Sequence, residues 1–217
     1  MKVAFFRSYK VSFGMSNIPV LLIATHNQGK LREFSALFKE EEMLTRSLAD
    51  FPSIGIVEET GSTFAQNAEI KARFYSKQTG LRTLADDSGL EVEALGGAPG
   101  IFSARYAGPT ASDGERIAHL LRELKRAGDT QRRARFVCAV AIASPVAEVT
   151  DIFTGQCTGK ISHSSRGLNG FGYDPVFIPD GYEQTFGELP KEIKLRISHR
   201  FRALKSARNF LIGLSLE

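Results

Sequence analysis

The sequence predicts an α/β fold built on a mixed sheet. Apolar strand-like runs alternate with amphipathic helical stripes through the first half of the chain, as parallel strand pairing requires. Two long apolar runs then follow one another with only a turn between them, which is a hairpin pattern. Neither repeats nor a low-complexity linker divides the 217 residues, a length suited to one domain or one domain with two lobes.

Val20-Leu21-Leu22-Ile23-Ala24 reads as a buried strand running into Thr25-His26-Asn27-Gln28-Gly29-Lys30. A helix follows with Leu31, Phe34 and Phe38 on one face and Asn27 as its N-cap. Residues 41–61 are mixed, with turn signals at Pro52 and Gly55, and end in Glu58-Glu59-Thr60-Gly61. Thr63 to Gln66 has capping-box spacing, and Phe64, Ala68, Ala72 and Tyr75 form a helical stripe. Leu81 to Ala85 reads as a short strand that ends at Asp86-Asp87-Ser88-Gly89, and Leu90 to Gly108 as structured loop. Ser112 caps a helix with Ile117, Leu120, Leu121 and Leu124 inward. Arg135–Ala143 and Val149–Lys160 are the hairpin strands, Gly167–Asp174 is a glycine-rich loop, and Val176–Ile178 is a further strand. Ser198 caps a last helix with Phe201, Leu204, Ala207 and Leu211 inward.

Composition excludes several classes of protein. Hydrophobic residues make up 42% and charged residues 24%, enough for a core and too apolar for disorder. No apolar run reaches the roughly 18 residues that span a bilayer. Cys138 and Cys157 lie in strand-like runs without CxxC or ligand-spaced His, which argues against a disulfide or zinc framework and for a reducing compartment. The net charge of +4 suits an anionic ligand but is too small and too dispersed to require nucleic acid. Arg132, Arg133 and Arg135 are the one local basic patch, read as a solvated face. The first residues are basic and aromatic without the apolar stretch of a signal peptide, so residues 1–14 are expected to be an extension, with a single domain from 15 to 217.

Five segments carry residue types suited to nucleotide chemistry. Thr25–Lys30 stands at a strand-to-helix junction, where free N–H groups and the helix dipole favour an anion. It is not a P-loop, because GxxxxGK[ST] is absent. Asp86 and Asp87 are adjacent carboxylates; one of them should hold a proton unless a cation lies between them, and a divalent metal would serve. Either could take a proton from an attacking water. Glu58-Glu59 is a second acidic pair that could complete a metal shell or simply complement a helix dipole. Phe171 in its glycine-rich loop could stack on a base, with Asp174 as an acceptor. Lys194, His199 and Arg200 sit where the helix dipole disfavours cations, so an opposing anion or base edge would explain them.

Taken together, these segments resemble the inosine triphosphate pyrophosphatase family. The likeness runs from about Val20 to Leu211 and is carried by THNQGK at 25–30, EETGSTFAQNAEIKA at 58–72, LADDSGLEVEALGGAPGIFSARYAG at 84–108, GFGYDPVF at 170–177 and ISHR at 197–200. It implies a long central mixed sheet with flanking helices forming two lobes around an active-site cleft, and a homodimer; the cysteine usage and the small, dispersed charge add the expectation of a cytoplasmic location and no stable nucleic-acid partner. It also implies Mg²⁺-dependent hydrolysis of deaminated purine nucleoside triphosphates (ITP, dITP, XTP) to the monophosphate and pyrophosphate.

By position, Thr25, His26, Asn27, Gln28, Gly29 and Lys30 would hold the triphosphate, with Lys71 near the phosphates and Lys30 assisting catalysis. Asp87 would be the general base. Glu58 or Glu59 would join Asp86 and Asp87 at the metal, and Ser88 would touch substrate. Phe171 would stack on the purine with Gly172, Tyr173 and Asp174 around it, and Lys194, His199 and Arg200 would reach the base and phosphates. One departure is His26, where many members of that family have Gly.

Overall fold

The computed structural model describes residues 18–38, 43–128, 130–146 and 150–213. The expected extension at residues 1–14 lies outside the described residues, as does Val149. The strands are β1 (Val20–Ile23), β2 (Leu44–Ser47), β3 (Arg82–Val92), β4 (Arg133–Ala143), β5 (Thr150–Ile161) and β6 (Phe177–Pro179). The helices are α1 (Gln28–Ser35), α2 (Phe64–Thr79), α3 (Asp113–Ala127), α4 (Lys191–Ile197) and α5 (His199–Gly213).

The six strands form one mixed sheet in the order β2-β1-β3-β4-β5-β6. β1 is parallel to β2 and β3, and the pairs from β3 through β6 are antiparallel. Three apolar clusters cover it. Leu21, Ile23, Leu84, Val140 and Ile142 pack with Phe34 of α1 and Leu204, Ala207 and Leu211 of α5. On the opposite face Ala85, Ala139 and Ala141 receive Ala68, Ala72 and Tyr75 of α2. The small side chains on both sides let α2 approach the sheet closely. Toward the far end of β3 and β4, Leu90, Val92 and Phe136 pack with Leu120 and Leu124 of α3 and with Phe177 and Phe186. Gly155 permits the tight seating of α5, since a Cβ there would come within 2.5 Å of the Ala203 nitrogen.

Several sequence expectations are corrected. β3 does not stop at Ala85: it pairs with β4 from Thr83↔Ala143 to Val92↔Ala134, so Asp86 and Asp87 lie in mid-strand. Their polarity hid the strand because a partner strand, and not local hydrophobicity, supplies its stability. Within the segment read as loop, residues 93–95 and 100–105 are 3₁₀ turns. α4 was not anticipated. Phe38 falls beyond the end of α1, although its ring remains buried in the same cluster as Phe34. Phe201 is only half-buried, and Ala203 occupies the inward position.

The expected caps form. Asn27 accepts from the Lys30 amide at 3.0 Å, and Ser198 from the Phe201 amide at 3.2 Å. Ser112 and Glu115 make a reciprocal box. Thr63 accepts from the Gln66 amide, but the Gln66 side chain reaches the Ser62 amide instead of completing the box.

The basic patch at 132–135 is a solvated face only in part: Arg133 and Arg135 are exposed, and Arg132 is not. Arg132 is buried, with a left-handed φ of 56°, and donates to the Ile161 and Ser162 carbonyls at 2.7 and 2.9 Å. Arg135 is paired with Glu91 at 2.6 Å. Cys138 and Cys157 are both free and buried. Among the described residues no helix is long and apolar enough to cross a membrane.

Candidate active site

The cleft follows from unequal strand lengths. β1 pairs with β3 only as far as Ile23↔Leu84. Past that point β3 continues for eight residues along an edge that β1 does not cover. A cleft of about 300 Å³ opens there, bordered by the 24–27 turn, α2, the 100–105 turn, the 171–174 loop and the start of α5.

Strand periodicity separates the two adjacent carboxylates, because successive side chains point to opposite faces. Asp86 shares the face of Leu84, toward α1 and α5. It pairs with Lys30 at 2.8 Å, lies 3.9 Å from Arg200, and accepts from the Ser88 hydroxyl at 3.0 Å. Asp87 shares the face of Ala85, toward α2. Its Oδ2 accepts from Asn67 at 3.0 Å, its Oδ1 accepts from the Ser88 amide at 3.0 Å, and Lys71 stands 3.6 Å away. Lys71 also bonds Glu59 at 2.8 Å.

Their electrostatics diverge accordingly. Burial pushes the Asp86 carboxyl up, but Lys30, Arg200 and Lys71 together outweigh it, so Asp86 titrates below the ordinary carboxylate range. For Asp87 burial wins over Lys71 and Lys30, and its pKa rises. Lys71 loses hydration but gains Asp87, Asp86 and Glu59, and its pKa rises. Of the two adjacent carboxylates one is thus shifted up, as anticipated, and the other down, each with its own lysine.

A second buried cluster flanks this pair. Arg200, 4% exposed, pairs with Glu33 and donates to Ser88 Oγ at 3.1 Å. Lys194 pairs with Glu33 at 2.9 Å and Asp174 at 2.6 Å. Burial opposes ionisation of Glu33, yet Arg200 and Lys194 hold its pKa low. Phe171 lies under both cations, with Lys194 Nζ 4.6 Å and Arg200 Cζ 5.3 Å from the ring centroid. Its edge packs on α1, where a Cβ at Gly29 would meet the ring at 2.7 Å.

His199 is buried and stacked on Phe136 at 4.7 Å, with no hydrogen-bond partner at Nδ1. Burial first, and then Arg200, Lys194 and Lys30, depress its pKa well below the usual value, so it is neutral. Ser198, His199 and Arg200 are therefore an interior element and not a solvated helix start.

Of the residues singled out in the sequence, Thr25, His26, Asn27, Lys30, Glu59, Lys71, Asp86, Asp87, Ser88, Phe171 to Asp174, Lys194, His199 and Arg200 border one cleft. Gln28 and Glu58 are exposed and do not border it. His26 contacts the Tyr75 hydroxyl at 3.3 Å. Sequence reading missed Asn67, Glu33, Asp113 and Arg116. Asp113 accepts from the Gly172 amide at 2.7 Å and pairs with Arg116, tying α3 to the aromatic loop. Tyr173 bonds the Ser103 carbonyl at 3.0 Å from the same loop. Helical spacing could have flagged Asn67, one turn before Lys71 on the same helix; nothing local marks Glu33.

Among the described residues no three His, Cys, Asp or Glu side chains form a ready-made metal cage. The donor set nonetheless fits a hard divalent cation held jointly with a ligand's phosphates, since Mg²⁺ needs only one or two carboxylates. Asp86 Oδ1 is buried with no hydrogen-bond partner, and Glu59 and Asp87 converge on Lys71 beside it.

Residues 21–210 match the model of the Ham1 family. A dITP/XTP pyrophosphatase of Halalkalibacterium halodurans is 46% identical over 190 residues, 88% of this chain and 97% of its own length. One from Geobacillus kaustophilus is 50% identical over 184 residues, 85% of this chain and 90% of its own. Among solved structures, a HAM1 protein from Coxiella burnetii superimposes with a TM-score of 0.84 at 43% identity, covering 90% of this chain and all of that one. The Ham1 protein of Staphylococcus aureus gives 0.80 at 42%, covering 89% and 98%.

Proposed function

This chain belongs to the Ham1 family, and from that premise we propose that it hydrolyses deaminated purine nucleoside triphosphates (dITP, XTP and ITP) to the monophosphate and pyrophosphate. The observation that carries the reading is the split carboxylate pair. One member is locked by buried cations, and the other has a burial-raised pKa beside two lysines and faces the same cleft.

Asp87 accepts a proton from a water whose oxygen attacks the α-phosphorus; the bridging P–O bond breaks and pyrophosphate leaves with the electron pair. A raised pKa suits a general base working near neutrality. Lys30 and Lys71 meet the charge that develops along the phosphates. Glu59, Asp87 and the free Oδ1 of Asp86 would hold Mg²⁺, which supplies charge neutralisation and Lewis-acid polarisation of the phosphates.

Phe171, Lys194, His199 and Arg200 receive the base. Lys194 and Arg200 can only donate hydrogen bonds. The 6-oxo group of hypoxanthine or xanthine accepts from them, whereas the 6-amino group of adenine would set donor against donor; guanine shares the 6-oxo group, so its exclusion rests on its 2-amino group. The family resemblance further supports a homodimer, and the two free, buried cysteines suit a reducing cytoplasm.

Incubation with dITP, XTP, ITP and the standard triphosphates in the presence of Mg²⁺ tests this. Monophosphate plus pyrophosphate from the deaminated purines alone is the expected result. Diphosphate plus phosphate would move the cut to another bond, and preferential cleavage of a modified pyrimidine triphosphate would replace the substrate class.

A further inference from the structure

Asn67 is wholly buried in α2, yet its side chain bonds no other residue of its own helix. Its two ends face different parts of the site. The Gly61 amide lies 2.8 Å from Oδ1, and Asp87 Oδ2 lies 3.0 Å from Nδ2.

The orientation of the amide is not arbitrary. A backbone N–H can only donate, so the Asn67 atom facing Gly61 must be its oxygen. The atom facing Asp87 is then the NH₂ group, which donates to a carboxylate lone pair. With the Ser88 amide on Oδ1, each oxygen of Asp87 accepts one hydrogen bond from a rigid element. This fixes the carboxylate plane and leaves the remaining lone pairs directed by geometry and not by solvent. The other end of the same amide holds Gly61, two residues after Glu59, whose carboxylate meets Lys71. The close fit is also visible at Gly61, where a Cβ would approach Asn67 Oδ1 to 2.7 Å.

We infer that Asn67 is the positioning residue of the site: its amide orients the Asp87 carboxylate and fixes the Glu59-bearing segment to the same point. The inference rests on the proposed role of Asp87 as the base. It concerns the direction in which the carboxylate points, so the expected signature is loss of turnover without loss of substrate affinity.

Two variants separate the alternatives. Asn67→Ala removes both bonds. Asn67→Asp keeps an acceptor for Gly61 and replaces the neutral donor to Asp87 by a carboxyl that repels it or shares a proton with it. With dITP and Mg²⁺, both are expected to lower kcat by about 10- to 100-fold, the scale of a roughly 1 Å misplacement of a reacting group, with KM within about threefold of the parent. An unchanged kcat in both folded variants overturns the inference, as does a rise in KM with kcat preserved. Crystal structures of the parent and Asn67→Ala supply an independent readout, with a rotated Asp87 carboxylate expected and an unmoved one overturning it. A parent protein inactive on dITP and XTP would sink the proposed function, while the Asp87 orientation would still decide the part played by Asn67.

Discussion

Asp86 and Asp87 are neighbours in the chain, but the two faces of β3 make them chemically different groups. Asp86 points toward α1 and α5 into a buried ionic cluster with Lys30 and Arg200, and its pKa falls. Asp87 points toward α2, where Lys71, Lys30 and the Asn67 amide do not offset its burial, and its pKa rises. The face with many cations stores structural integrity, and the face with fewer leaves a carboxylate able to take a proton. A single peptide step thus separates a carboxylate held ionised from one with a raised pKa.

That contrast breaks most visibly at Asp87. Asp87→Asn is expected to lower turnover by about 10²- to 10⁴-fold, the usual contribution of a general base, while the melting temperature stays near that of the parent. Pyrophosphate release and a thermal melt measure both; near-normal turnover would remove Asp87 from the base role.

On the opposite face the order of effects reverses. Arg200→Met removes the guanidinium shared by Glu33 and Asp86, leaving each with one lysine, and the loss of a partner from a buried ionic cluster costs up to about 3–5 kcal/mol. Urea unfolding reads this directly. A loss below about 1 kcal/mol, the worth of an exposed pair, would mean that the cluster is better hydrated than its burial implies.

Phe171→Ala sharpens the comparison by locating the base end of the cleft. Removal of a stacking ring worth about 1–3 kcal/mol should raise KM by about 5- to 150-fold. An unchanged KM would move the purine elsewhere.

The smallest expected effect concerns His199. Its folded pKa is depressed, so the unfolded chain binds the proton first as pH falls. Stability is then fully present above about pH 6.5 and declines below it toward the folded value. His199→Gln should flatten the slope of unfolding free energy between about pH 6.5 and 5; an unaltered slope would place the titration in another group.

Much of the fold was legible because periodic patterns report local geometry. The stripe through Phe64, Ala68, Ala72 and Tyr75 and the caps at Asn27, Ser112 and Ser198 all express interactions within a few residues. The far half of β3 was not legible, since Asp86, Asp87, Ser88 and Gly89 lack strand character and are held there by β4. Glu33 was silent, and Asn67 carried only the weak signal of lying one helical turn before Lys71. Each is an ordinary polar residue on a helix until a partner 20 or 167 positions away comes within hydrogen-bonding distance.

By itself the sequence determined most of the element types, the mixed character of the sheet and the residue kinds that border the cleft. These depend on side-chain period, capping and composition, all of which are local. Only the tertiary structure decided which carboxylate has its pKa lowered by cations and which has it raised by burial, that His199 is buried neutral, that Arg132 is structural, and that Gln28 and Glu58 stand outside the cleft. Charge state depends on burial and on the distance to other charges. Those distances are set by strands and helices far apart in the chain.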